Sequence, residues 1–262
     1  MKKEFILILV ICLAFSMAGC GNKSITDQTN DTEETILFAA AASLKKCMDD
    51  ELIPLFKEKN PNITVEATYD SSGKLQAQIE EGADVDVFMS AAMKQMASLD
   101  EKKLMKTNSI VQLLENKIVL VLPKDGTKDI KTFEDILKAN TIAIGDPESV
   151  PAGQYAKEAF ESLEIWDQVS AKSSLGTNVT EVLNWVAEGS ADAGVVYATD
   201  AASNDKVQVV AEAPAESVSK VIYPVGIVEA TKNEEAAKSF VEFLQSEDAI
   251  KIFEKYGFTG NR

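Results

Sequence analysis

The chain has 262 residues, 45% of them hydrophobic, with three cysteines, no histidine and a formal net charge of −16. That acidity excludes a nucleic-acid binder, which needs a basic face. The missing histidine removes the commonest general base and metal ligand, so an enzyme is not expected. The length is enough for a self-sufficient core and favours two lobes over one.

At the N-terminus, Lys2 and Lys3 precede the apolar run Phe5–Ala18. At 14 residues it is shorter than the roughly 20 a membrane span needs, and it suits a secretion signal. It ends Met17-Ala-Gly-Cys20, which resembles the lipobox of bacterial lipoproteins, in which the cysteine is diacylated and becomes the mature terminus. Two acyl chains suffice for stable anchoring. Residues 1–19 are therefore expected to be a signal peptide, Cys20 the lipid attachment point, and the polar stretch 20–35 a flexible tether. Cys12 lies in the signal, so only Cys47 remains and no internal disulfide can form.

Strand and helix patterns then alternate. Thr35–Phe38 is a short apolar run leading through alanines to Ser43. Leu44, Met48, Leu52, Leu55 and Phe56 recur at helical spacing, with Pro54 predicting a kink or an early end. Asn62–Tyr69 reads as a strand, Ser72–Glu81 as a helix stopped by Gly82, Val85–Met89 as a strand and Met93–Leu104 as a helix. This order favours a parallel sheet covered by helices. Lys117–Leu122 is strongly β and ends at Pro123. A helix over Phe133–Lys138 and a strand over Thr141–Ile144 follow. Next come helices over Gln154–Leu163 and Val179–Ala187, then strands over Ala193–Tyr197 and Val207–Ala211. Val221–Val228 is a further strand, in which Pro224 argues for an irregular or edge position. Helices over Glu234–Gln245 and Asp248–Tyr256 close the chain, with Gly257 as a stop.

Gly145-Asp-Pro-Glu-Ser-Val-Pro-Ala-Gly153 joins a strand to a helix start. The first N–H groups of a helix have no partner inside it, so such a turn is a ready anion site. Pro151 fixes its own φ, and Ala152 and Gly153 leave the backbone approachable. Ala40–Ser43, Tyr69–Ser72 and Thr177–Thr180 also place donors at strand ends or helix starts. In open α/β sheets, ligands lie beyond the carboxyl ends of the strands. Each residue has a plainer role open to it. Ser43, Ser72 and Asn178 suit N-caps, Tyr197 suits packing and Asp70 suits a turn cap. Asp84 and Asp86 suit strand-flanking caps, and Cys47 suits the core.

From Phe38-Ala-Ala-Ala-Ala-Ser-Leu44 onward, the chain resembles the molybdate-binding proteins that serve ABC importers, over nearly all of Ile36–Gly260. The distinctive pieces include Ser71-Ser-Gly-Lys-Leu75, Asp84-Val-Asp-Val-Phe88 and Gly145–Ala159. Gly194-Val-Val-Tyr-Ala-Thr-Asp-Ala201, Tyr223-Pro-Val225 and Phe253-Glu-Lys-Tyr-Gly-Phe258 complete the set. The resemblance implies an α/β, two-lobed type II periplasmic-binding fold, each lobe a mostly parallel sheet flanked by helices. Lobe one would hold residues 36–118 and 223–262, and lobe two residues 119–222. It also implies the groups that touch the anion: the Ser43, Ser72 and Tyr197 hydroxyls and the N–H groups of Ala152 and Val179. The expected ligand is molybdate, with tungstate beside it, held without a cofactor or a bare metal cation. Another tetrahedral oxyanion such as sulfate, or a surface anion sensor, is the alternative. The expected partners are an ABC permease and its ATPase subunits, and the expected state is a lipid-anchored extracytoplasmic monomer.

The residue types suit that task. A tetrahedral oxodianion only accepts hydrogen bonds, so hydroxyl and N–H donors can satisfy it without burying a lysine or arginine. Hydrogen phosphate carries a proton that an all-donor site leaves facing a donor. Sulfate has the same charge and shape, so cavity size must exclude it.

Overall fold

Apolar strands and amphipathic helices alternate along residues 33–261, the part of the chain that the computed structural model describes. The signal peptide, Cys20 and nearly all of the tether lie outside the described residues. The first half holds β1 (Glu34–Ala41), β2 (Ile63–Asp70), β3 (Val87–Met89) and β4 (Val111–Glu115). Then come β5 (Ile118–Pro123), β6 (Ile142–Gly145), β7 (Ser173–Gly176), β8 (Ala193–Tyr197) and β9 (Val207–Glu212), followed by β10 (Ile222–Ile227) and β11 (Thr259–Gly260). The helices are α1 (Lys45–Cys47), α2 (Ile53–Lys59), α3 (Ser72–Glu80), α4 (Met93–Glu101) and α5 (Pro151–Ser162). They continue with α6 (Trp166–Ser170), α7 (Val179–Ala187), α8 (Ala198–Ala202), α9 (Glu234–Leu244) and α10 (Glu247–Lys255). β1 takes up the last two residues assigned to the tether, pairing Glu34 with Ile63 and Thr35 with Thr64.

The strands build two sheets, ordered β11-β4-β10-β3-β1-β2 and β7-β6-β8-β5-β9. The chain crosses from the first to the second through Asn116 and Lys117 and returns through residues 213–221. Both sheets are mixed, which corrects the mostly parallel expectation. β1 is parallel to β2 and β3, and β6 to β7 and β8. β10 is antiparallel to β3 and β4, and β5 to β8 and β9. Parallel neighbours need a crossover, which the helices between β1, β2 and β3 and between β6, β7 and β8 supply. β5 and β10 each arrive from the other sheet and run the opposite way.

The strand proline and the helix proline are accommodated in different ways. Pro224 takes the irregular position expected of it, inside the first sheet rather than on its edge, where a register shift between Tyr223 and Pro224 accommodates the missing N–H. Pro54 does not end its helix, which continues to Lys59. It falls in the first turn of α2, directly after a π-helical stretch over Met48–Leu52 that already interrupts the regular ladder. Phe133–Lys138 is a short 3₁₀ turn over Glu134–Lys138 rather than an α-helix.

Helix α9 covers the first sheet through Phe240, which packs edge-to-face on Phe38 and Phe56 at 5.1 and 5.0 Å between centroids. Each such buried ring contributes about 2–3 kcal/mol. Cys47 packs in the same core, and burial pushes its thiol up to about 12. Asp86 is a buried structural acceptor, taking the N–H of Leu37 at 2.8 Å and the hydroxyl of Thr231. Among the described residues no helix is long and apolar enough to cross a membrane.

Candidate functional site

Strand ends from both sheets meet at one small cavity. Ser43, Ser72, Ala152, Val179 and Tyr197 all line it, with Ser71, Asp70 and Ala91 beside them. From the first sheet, β1 runs out through Ala41 into a 3₁₀ turn that carries Ser43. β2 runs out at Asp70, and α3 begins at Ser72.

The serines are not used as caps. Ser71 occupies the N-cap of α3, yet its side chain makes no cap hydrogen bond. Ser72 Oγ accepts the N–H of Ala91 at 3.0 Å, which leaves its own proton free to donate. Ser43 Oγ lies 2.9 Å from Tyr223 Oη. Ser71 is only 3% exposed and its Oγ has no hydrogen-bond partner among the described residues. Buried hydroxyls are normally satisfied, so an orphan lining a cavity marks a place for a ligand group.

The second sheet brings backbone donors. Gly153 sits against the end of β6 so closely that a Cβ there would lie 2.0 Å from Gly145 O. This contact lays the first turn of α5 directly on the strand end. Ala152, fully buried in that turn, has an N–H with no acceptor one turn back. Asn178 does take the plain role: it caps α7 by accepting the Glu181 N–H at 3.0 Å. The Glu181 carboxylate in turn accepts from the N–H and hydroxyl of Thr177, at 2.6 and 2.9 Å. Val179, 4% exposed, opens the helix beside the cavity. Tyr197, at the end of β8, donates its hydroxyl to the Ala91 carbonyl at 3.2 Å, so that proton is already engaged across the two sheets. Burial keeps the Tyr197 and Tyr223 hydroxyls well above the ordinary phenol range, and both remain protonated.

Two more contacts tie the sheets together around the cavity. The Gly73 N–H donates to Ser149 O at 3.0 Å, and Gln95 Nε2 donates to Gln154 Oε1 at 3.1 Å. A Cβ on Gly73 would lie 2.3 Å from Ser149 O.

Among the described residues, no lysine or arginine lines the cavity. Its positive potential comes from the N-termini of α3, α5 and α7. Asp70 is occupied as a turn cap, accepting from the Ser71 N–H at 2.7 Å and Lys74 Nζ at 3.2 Å. A larger groove of about 310 Å³ lies behind Ser43. Its walls carry Asp49, Asp50 and Asp200 against Lys45 and Lys46, and Lys45 is paired with Asp49 at 2.6 Å, so acidic groups outnumber the lysines there. Burial pushes the Asp200 carboxyl up to about 7, and its Oδ2 has no partner. Sequence reasoning missed Ser71, which lines the cavity, and Tyr223, which bonds the Ser43 hydroxyl from outside it. The Ser71-Ser72-Gly73 run and the Tyr223-Pro-Val motif were the available signals.

The model of the bacterial extracellular solute-binding protein family matches residues 36–259. A Bacillus subtilis (strain 168) protein provisionally named ABC transporter substrate-binding lipoprotein YvgL is 43% identical over 260 residues, 98% of each chain. The molybdate-binding protein ModA of Escherichia coli (strain K12) is 40% identical over 264 residues, again 98% of each. The solved substrate-binding domain of a provisionally assigned molybdenum ABC transporter from Clostridium difficile has a TM-score of 0.67 and 40% identity, covering 87% of this chain and 99% of that one. The two sheets and their helices thus make the two-lobed type II periplasmic-binding fold, and the chain belongs to the bacterial extracellular solute-binding protein family.

Proposed function

We propose that this chain is the lipid-anchored, extracytoplasmic substrate-binding subunit of an ABC importer, capturing molybdate, and tungstate with it, between its two lobes. The observation that carries this reading is the convergence of hydroxyl and N–H donors from both sheets on a cavity to which no described lysine or arginine contributes. Such a set satisfies an ion that accepts at every oxygen, and helix dipoles supply the field. The names of the ModA relative and of the Clostridium difficile domain support molybdate as that ion. A carrier needs no general base, and the chain has no histidine to serve as one. Residues 116–117 and 213–221, where the chain passes between sheets, are the natural hinge, and closure selects a state the free protein samples less often.

Calorimetric titration of the purified protein with molybdate in excess sulfate should give tight one-to-one binding, with tungstate competing. Binding abolished by sulfate would move the assignment to another oxyanion, and no binding to any tetrahedral oxyanion would end it. Anchoring through Cys20 is checked separately, by loss of membrane association in Cys20→Ser.

A further inference from the structure

The Ser43 hydroxyl belongs to a chain of hydrogen bonds whose direction is fixed. Its Oγ meets Tyr223 Oη at 2.9 Å, and that Oη lies 3.3 Å from Asn116 Nδ2. Asn116 Oδ1 accepts the N–H of Lys117 at 2.8 Å, which turns the amide so that its NH₂ faces Tyr223 and, at 2.9 Å, Thr199 Oγ1. An amide NH₂ only donates, so Tyr223 Oη accepts from it. Tyr223 is fully buried, and of the two described groups within 3.3 Å of its Oη only Ser43 can take its single proton. The Ser43 oxygen therefore receives, and the Ser43 proton is left for the cavity. Ser43 Oγ keeps a second lone pair, but to accept from a ligand there and still place its own proton on a protein partner, it would have to donate to Tyr223. The Tyr223 proton would then face a donor.

We propose that Tyr223 and Asn116 are positioning residues that lock Ser43 as a donor, and so set this protein's discrimination against protonated oxyanions such as hydrogen phosphate. The proposal rests on the oxyanion reading above. A serine free to reverse would satisfy the phosphate proton, whereas a locked one opposes it. Both molybdate and hydrogen phosphate are dianions at pH 8. A variant that merely loosens the site or alters its charge should therefore weaken both alike, while one that unlocks Ser43 should change their ratio.

The test is the ratio of phosphate to molybdate dissociation constants at pH 8, from titration and competition with the purified protein. Tyr223→Phe keeps the ring and its packing and removes both the proton that Ser43 receives and the acceptor of the Asn116 NH₂. It should lower the ratio by roughly tenfold or more, the size of one buried donor–acceptor conflict. An unchanged ratio, with both anions weakened equally or not at all, overturns the proposal. Should that variant fail to fold, Asn116→Asp decides by the same ratio, because a carboxylate there draws the Tyr223 proton away from Ser43. Wild-type protein that binds neither anion would sink the oxyanion reading itself, a result distinct from tight molybdate binding with an unchanged ratio.

Discussion

Ser71 holds a hydroxyl that folding buries without a partner, a condition that costs about 1–3 kcal/mol. Removing it should therefore act in opposite directions on the two states of the protein. Ser71→Ala should raise the melting temperature of the ligand-free chain slightly and weaken molybdate binding. Weakening in both measurements would show that the hydroxyl is satisfied elsewhere. Ser43→Ala and Ser72→Ala should each weaken molybdate by roughly 1–3 kcal/mol, since each leaves an anion oxygen unpaired. Wild-type affinity in both would place the anion elsewhere. Asp200 brings a pH dependence. Its carboxyl sits at about 7 in the fold against an ordinary 3.8. Between those values the folded chain keeps a proton that the unfolded chain has released, so stability falls as pH rises through this window and stays lower above it. Asp200→Asn cannot ionise, so it should raise the melting temperature more at pH 8 than at pH 4.5. Equal shifts at both would remove the carboxyl from the account.

At the scale of elements, two glycines at helix starts separate folding from closure. Gly153 faces Gly145 O within the second lobe, whereas Gly73 faces Ser149 O across the two sheets. Gly153→Ala should lower the melting temperature sharply, because α5 could no longer lie on β6. Gly73→Ala should leave the melting temperature nearer wild type yet weaken molybdate, because the clash exists only when the sheets approach. The reverse pattern in melting and titration would contradict this assignment. The elements also differ in how openly the sequence announces them. β5 and β8 are unbroken apolar runs, and both were legible. β4, with Val-Gln-Leu-Leu-Glu, breaks strict alternation at its adjacent leucines and draws its partners β10 and β11 from the far end of the chain. β7 is a polar edge strand whose Leu175 is 52% exposed, so it carries no burial pattern to read. The helix-start serines and the 145–153 motif located the residues that line the cavity. The parts of Ser71 and Tyr223 depend on which side chains tertiary packing leaves within hydrogen-bond reach, which no local pattern encodes.

At the scale of the whole molecule, the charge of −16 works against the proposed ligand. An acidic exterior repels a dianion at long range, and salt screens that repulsion, the Debye length shrinking from about 30 Å at 0.01 M to about 8 Å at 0.15 M. Stopped-flow association with molybdate should therefore speed up as sodium chloride is added, the opposite of electrostatic steering. A rate that falls with salt would reveal a local positive field at the entrance. The late return of the chain to its first sheet also shapes how the protein comes into being. Synthesis delivers β1 to β4 long before β10 exists. Until Ile222 and its successors arrive, β3 has an open edge and β4 has no neighbour in its sheet. Pairing over such a span is slow, and nascent chains with open edges are exposed to aggregation and proteolysis. The strand that ends this interval is the one that carries Tyr223. A segment made late is thus the one that meets the first serine, so the cavity takes its final form only after most of the chain has been translated.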